Sequence, residues 1–156
     1  ATELDARIKW PNDILLRGNK CAGILAEAGI TGDRLDYVVV GMGLNVNFAV
    51  IDHPDLSRDV TTIADELGKP TPRALLVQAI MRGIETYYLR LCAGENLRAE
   101  WATRMLTLNQ RVRAQTPWGD EEGIAEDVDE DGALLLRRND DSVVRLIAGD
   151  VTLKRR

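Results

Sequence analysis

A lysine, a tryptophan, a proline and two short polar residues follow one another at Lys9-Trp10-Pro11-Asn12-Asp13, directly after the stretch Ala6 to Ile8. An ammonium held at the end of a strand can neutralise a carboxylate or a phosphate as negative charge builds up on it. The three residues that follow the tryptophan set a fixed φ and supply two side chains that bond their own backbone, so the same segment also reads as a strand ending in a Pro-Asn-Asp turn. Trp10 is either a wall for a ligand or ordinary core, and its indole N–H needs a partner in both cases. Asp13 is read as a residue that holds the turn.

Two further segments carry chemistry at short range. The first is Lys20-Cys21-Ala22-Gly23-Ile24-Leu25-Ala26-Glu27, in which Gly23 lets a strand pass close beneath a flat ligand or simply packs closely, and Lys20 could reach a site there but reads first as a solvated lysine starting a strand. The second is Gly41-Met42-Gly43-Leu44-Asn45-Val46-Asn47. Gly41 and Gly43 invite comparison with a dinucleotide fingerprint, but Val46 stands where the third glycine belongs and no helix follows at once. They are read as glycines that allow close approach, with Asn45 beside them carrying both a donor and acceptors.

Other groupings carry less. Asp127, Asp129, Asp131 and Gly132 open like a calcium loop, yet the twelfth position is Arg138 rather than glutamate, so an acidic hairpin turn is expected. Cys21 and Cys92 stand far apart and His53 is the sole histidine, which leaves no recognisable zinc cluster and no metal site to predict. The cations Arg111, Arg113, Arg137, Arg138, Lys154, Arg155 and Arg156 read as strand faces turned to solvent.

Positioning these residues requires a sheet. From Ala6 to Asn47 the pattern is strand-like, broken at Arg17-Gly18-Asn19 and Thr31-Gly32-Asp33, which predicts consecutive antiparallel strands. Val38-Val39-Val40 is apolar on both faces of the pleat and predicts a central strand buried deep in the sheet. After Phe48 the spacing turns helical: a short helix near Ile63 to Leu67 stopped by Gly68, and a long one opened by Thr71-Pro72 with Leu76, Ile80, Gly83, Tyr87 and Leu91 at helical spacing. A third carries Leu97, Trp101 and Met105 on one face. Beyond Arg111, five short runs (Arg111 to Gln115, Gly123 to Val128, Ala133 to Arg138, Ser142 to Ile147, Val151 to Leu153) separated by polar turns predict a small barrel. The helices are expected to cover the sheet, and the barrel to pack against the rest.

The chain has 156 residues, 45% of them hydrophobic and 29% charged, within the globular range. No apolar run reaches the roughly 20 residues that span a bilayer, so a membrane partner is not expected. A net charge of -5 argues against a nucleic-acid partner. No secretory signal is visible, a reducing cytoplasm fits the cysteine usage, and a start at Ala1 suggests that residues were removed or that the chain is a fragment.

Taken together and in order, the three motif segments resemble the biotin protein ligase family, whose pattern is Lys-Trp-Pro-Asn-Asp, then Lys-x-Ala-Gly-Ile-Leu-x-Glu, then Gly-x-Gly-Leu/Ile-Asn-Val. Gly149-Asp150-Val151 matches the family's closing strand. The resemblance implies an α+β fold: part of a mixed, largely antiparallel sheet covered by helices, of the class II synthetase-like ligase type, over residues 1–109, then an SH3-like barrel over 110–156. It implies ATP-dependent formation of biotinyl-5'-AMP and transfer of biotin to a carrier-protein lysine. Lys9 would be catalytic and would bind biotin with Gly23, Leu25 and Gly41, while Asn12, Gly43 and Asn45 would bind nucleotide. ATP with Mg2+ and biotin are then substrates, no tightly bound cofactor is expected, and the partner is a biotin carboxyl carrier protein, with a homodimer left open.

The family's Gly-Arg-rich loop and the residues holding the biotin ureido ring precede the Lys-Trp-Pro-Asn-Asp segment and are not in this sequence. The expectation is therefore a carboxyl-terminal portion of a ligase that transfers no biotin alone. The alternative is a non-catalytic ligand-binding or interaction module, and a lipoate ligase relative ranks behind both because such relatives usually lack Trp-Pro here.

Overall fold

The computed structural model describes residues 2–53, 56 and 59–153, and the expectations placed on Ala1, Lys154, Arg155 and Arg156 lie outside them. The elements run β1 (Ala6–Lys9), β2 (Asp13–Leu16), β3 (Asn19–Thr31), β4 (Arg34–Leu44), α1 (Ile63–Leu67), α2 (Arg73–Cys92), α3 (Arg98–Thr103), β5 (Arg111–Thr116), β6 (Gly119–Val128), β7 (Leu134–Arg137), β8 (Val143–Leu146) and β9 (Asp150–Leu153). They form two compact units, one of Thr2–Ala6 and Asn12–Arg73, the other of Arg7–Pro11 and Ala74–Arg156.

In the first unit β2, β3 and β4 pair antiparallel in that order. The turn between β2 and β3 places Arg17 at φ 47° and Gly18 at φ 85°, the two positive values that a tight hairpin demands. Helix α1 begins where sequence capping says it should: Thr62 accepts a hydrogen bond from the Asp65 N–H at 3.0 Å, and Gly68 ends it in the left-handed region. Asn47 then clamps the chain ahead of α2, donating to the Thr71 carbonyl at 2.8 Å and accepting the Thr71 N–H at 2.9 Å.

The expectation for Val38-Val39-Val40 fails. These valines are about half exposed on β4, which pairs with β3 on one side and, among the described residues, with no strand on the other. An apolar run states that burial would be favourable; it does not supply the layers that would bury it.

In the second unit the strand order is β8-β7-β6-β5-β9, all antiparallel. Burial alternates as the period of two requires: Val112 and Ala114 are fully buried, while Arg111 and Arg113 face out. Leu134, Leu136 and Val151 complete an apolar core that also takes in Trp10 and Met105. The outward arginines pair across strands, Arg111 with Glu122 at 3.2 Å, Arg138 with Glu121 at 2.5 Å and Arg113 with Asp120. This sharpens the expectation of solvated cations, because each of these three has a carboxylate partner. Strand β1 joins this unit through Arg104 and Leu106: the Ile8 N–H donates to the Arg104 carbonyl at 2.9 Å, and the Leu106 N–H to the Ile8 carbonyl at 2.8 Å. No described helix is long and apolar enough to cross a membrane.

Candidate active site

Four of the residues singled out in the sequence share one face of one sheet. In the β3–β4 register Gly23 stands opposite Gly43 and Leu25 opposite Gly41, and directly opposed residues project to the same side. A Cβ on Gly43 would meet nothing within 4 Å, and one on Gly41 only the Leu25 carbonyl oxygen at 3.8 Å. Three of the four positions thus have no side chain beyond the backbone, which leaves a shallow trough where a flat molecule can lie against the strands.

One end of this trough is charged. Lys20 Nζ lies 2.5 Å from Asp13 Oδ1, and both groups lie within 3.6 Å of the position a Gly23 Cβ would occupy. Simple alternation counted back from Gly23 would send Lys20 to the other face. The register shift in the β2–β3 pairing, between Ile14 and Leu15, carries it over instead. Lys20, which sequence reasoning allowed to reach the site but favoured as merely solvated, is thus brought with Asp13 beside Gly23. Its place in a motif segment was the available signal, and the bulge that directs it was not legible.

Asn12 ties the turn to the same strand, its side-chain amide donating to the Ile24 carbonyl at 2.5 Å while its own carbonyl accepts the Ile24 N–H at 3.0 Å. Asn45 lies at the far end of β4 and donates from its side chain to the Thr61 carbonyl at 3.2 Å; its N–H reaches the Cys21 carbonyl at 2.8 Å. Both asparagines thus spend part of their hydrogen-bonding capacity fixing backbone. Burial, and then the carboxylate of Glu66, push the Cys21 thiol up to about 11, so it is no nucleophile at neutral pH.

Lys9 belongs to the other unit. Its ammonium stands 3.5 Å from Asp150 Oδ1, at the start of β9, and the lysine side chain is only 21% exposed against 77% for the aspartate. Asp150 is the acidic residue of the closing Gly-Asp-Val strand. Trp10, left open between ligand wall and core, is core: it is 1% exposed, its indole N–H donates to the Gly132 carbonyl at 3.0 Å, and its backbone N–H to Thr107 Oγ1 at 2.9 Å. Burial of the indole between barrel and helix anchors the residue next to Lys9, so the lysine starts from a rigid backbone. The acidic turn is a turn, as expected, since Asp129 Oδ1 accepts the N–H groups of Asp131 and Ala133 at 3.0 and 2.9 Å.

A mixed α+β chain with a glycine trough on an antiparallel sheet and a small SH3-like barrel has the class II synthetase-like fold. Two family models match it: the biotin/lipoate A/B protein ligase family over residues 1–45 and the biotin protein ligase C terminal domain over residues 107–154. The bifunctional ligase/repressor BirA of Bacillus subtilis is 33% identical, over 98% of this chain and 48% of its own length. The biotin–[acetyl-CoA-carboxylase] ligase of Mycobacterium tuberculosis is 40% identical, over 92% of this chain and 52% of its own. The crystal structure of the biotin protein ligase from Aquifex aeolicus superposes with a TM-score of 0.81 at 24% identity, covering 99% of this chain and 67% of that one, a likeness of fold. The chain belongs to the biotin protein ligase family, and it spans about half the length of the curated relatives it matches.

Proposed function

We propose that this chain carries the β3–β4 floor and the Lys9 ammonium of an enzyme that joins biotin to a carrier protein. The observation that carries the reading is the register Gly23–Gly43 and Leu25–Gly41, which gathers residues from two motif segments into one side-chain-poor trough. Biotin and ATP with Mg2+ are the substrates. A biotin carboxylate oxygen attacks the α-phosphorus, the bond to the bridging oxygen breaks, and pyrophosphate leaves. The ε-amino group of a carrier lysine then attacks the carbonyl of the mixed anhydride, loses a proton, and AMP departs.

In this reading Gly23, Leu25 and Gly41 bear biotin, with Asn12, Gly43 and Asn45 on the nucleotide side. Lys9 offsets the charge of the carboxylate as it approaches and the charge that develops on phosphate. Little covalent chemistry falls to the protein, so positioning and fixed charge do most of the work. The carrier is the biotin carboxyl carrier protein of a carboxylase such as acetyl-CoA carboxylase, as the name of the Mycobacterium relative suggests. A net charge of -5 supports a protein rather than a nucleic-acid partner. A homodimer joined along β4 is part of the same reading, supported by its exposed valines.

The test is biotin-dependent exchange of labelled pyrophosphate into ATP by the complete protein, with the Gly43→Val variant beside it. Exchange that needs biotin and is lost on filling the trough is the expected result. Exchange indifferent to Gly43→Val removes the trough from the reaction.

A further inference from the structure

On the barrel-containing unit, α2, α3 and the 129–132 turn line a half-open cavity of about 670 Å³, a volume typical of small-ligand sites. Its apolar lining comes from Ile8, Tyr87, Leu91, Leu97 and Trp101. Ile8 precedes Lys9 on β1, and alternation along a strand directs the two side chains to opposite faces, so the cavity lies behind the strand that carries Lys9.

The charge around it is unbalanced. Arg90 serves both Glu95 and Glu100, at 2.8 Å each, and Arg145 serves both Asp129 and Asp131. Each guanidinium therefore answers two carboxylates. Arg98 is matched one to one with Asp127, and the charge of Arg104 helps to hold the Glu100 carboxyl below its ordinary range. Glu130 adds one more carboxylate to the lining. Arg90 already faces the Tyr87 ring, 5.3 Å from its centroid, so an apolar space walled by Trp101 under an acidic rim fits a molecule with a flat apolar body and a positive end, which gains from the indole and from the carboxylates together.

We propose that this cavity is a binding site for a small organic cation with an aromatic or similarly flat apolar body, separate from the glycine trough and independent of the biotin reading. The carboxylates supply selectivity for charge, and the Trp101 and Leu91 side chains accept the apolar part.

The test uses 2-phenylethylamine as probe on the 156-residue chain, followed by amide and indole NMR, with neutral 2-phenylethanol as the matched comparison. Saturable shifts confined to Ile8, Leu91, Leu97 and the Trp101 indole are expected, with the amine binding about tenfold more tightly than the alcohol, as a cation held by the indole and carboxylates should. Leu91 is 56% exposed, so Leu91→Arg should fold while filling the space with its own cation, and it should abolish the shifts. Glu130→Gln should narrow the preference for the amine. Shifts that do not saturate, equal affinity for alcohol and amine, or binding unaffected by Leu91→Arg would each overturn the proposal.

Discussion

Replacing Lys9 by alanine, beside Asp150→Asn, separates a chemical role for this lysine from a structural one. At the observed 3.5 Å two unit charges attract by about 1.2 kcal/mol at the dielectric constant of water. Asp150 is 77% exposed, which keeps the pair near that lower limit, and ordering the side chains brings the net value below about 1 kcal/mol. Both substitutions should therefore shift urea unfolding by less than about 1 kcal/mol. If the ammonium stabilises developing charge, its removal in the complete protein should slow biotin-dependent pyrophosphate release on the order of 10² to 10³-fold, about 3 to 4 kcal/mol. Asp150→Asn leaves the ammonium but loosens it, so a smaller loss of up to about tenfold is expected, and it should shrink as salt screens the pair. The double variant should be no slower than Lys9→Ala, because both changes act through one group. An unchanged rate of pyrophosphate release in Lys9→Ala would remove Lys9 from the mechanism.

Three further outcomes follow from the geometry. A Cβ on Gly123 would lie 2.1 Å from the Arg137 carbonyl oxygen, backbone against backbone, so Gly123→Ala should force β6 from β7 and cost at least about 2 kcal/mol in urea unfolding; a cost below about 1 kcal/mol would contradict the contact. With its thiol raised to about 11, buried Cys21 holds only about one thiolate in a thousand at pH 8. Iodoacetamide followed by mass spectrometry should thus label exposed Cys92 first and Cys21 only on unfolding; fast double labelling would refute the burial. Arg138 holds the Glu121 carboxyl below its ordinary range and Arg145 does the same for Asp129. Depressed folded-state values contribute stability above the ordinary carboxylate pKa that is lost as pH falls through them, so the urea midpoint should stay level down to about pH 5 and drop below about pH 4. Arg138→Gln and Arg145→Gln should flatten that drop, and a midpoint equally acid-sensitive in both would refute the assignment.

Local signals carried much of the fold. Thr62 and Gly68 bracket α1 because a hydroxyl that accepts a helix N–H and a residue free to take positive φ are chemical properties of single residues. The barrel strands were legible because alternation of arginine with valine or alanine, as at Arg111 to Ala114, is itself the record of which face is buried. The first barrel turn was read too wide: Thr116 already pairs with Gly119, leaving Pro117 and Trp118 alone in the loop. Turn residues tolerate strand geometry when a partner strand is in register, and the partner lies outside the local window.

For the site, residue types and their order along the chain were a property of the sequence alone: the three motif segments, the glycines and the lysine that resemble the biotin protein ligase family's pattern. What only tertiary structure decided was which of them meet. Gly23 and Leu25 face Gly43 and Gly41 because a hairpin register fixes the pairing, and a bulge turns Lys20 toward Asp13 against simple alternation. Trp10 became core and Lys9 acquired Asp150 because the chain returns to them more than a hundred residues later. Residue chemistry is local, whereas register, bulges and long-range contact depend on partners distant along the chain.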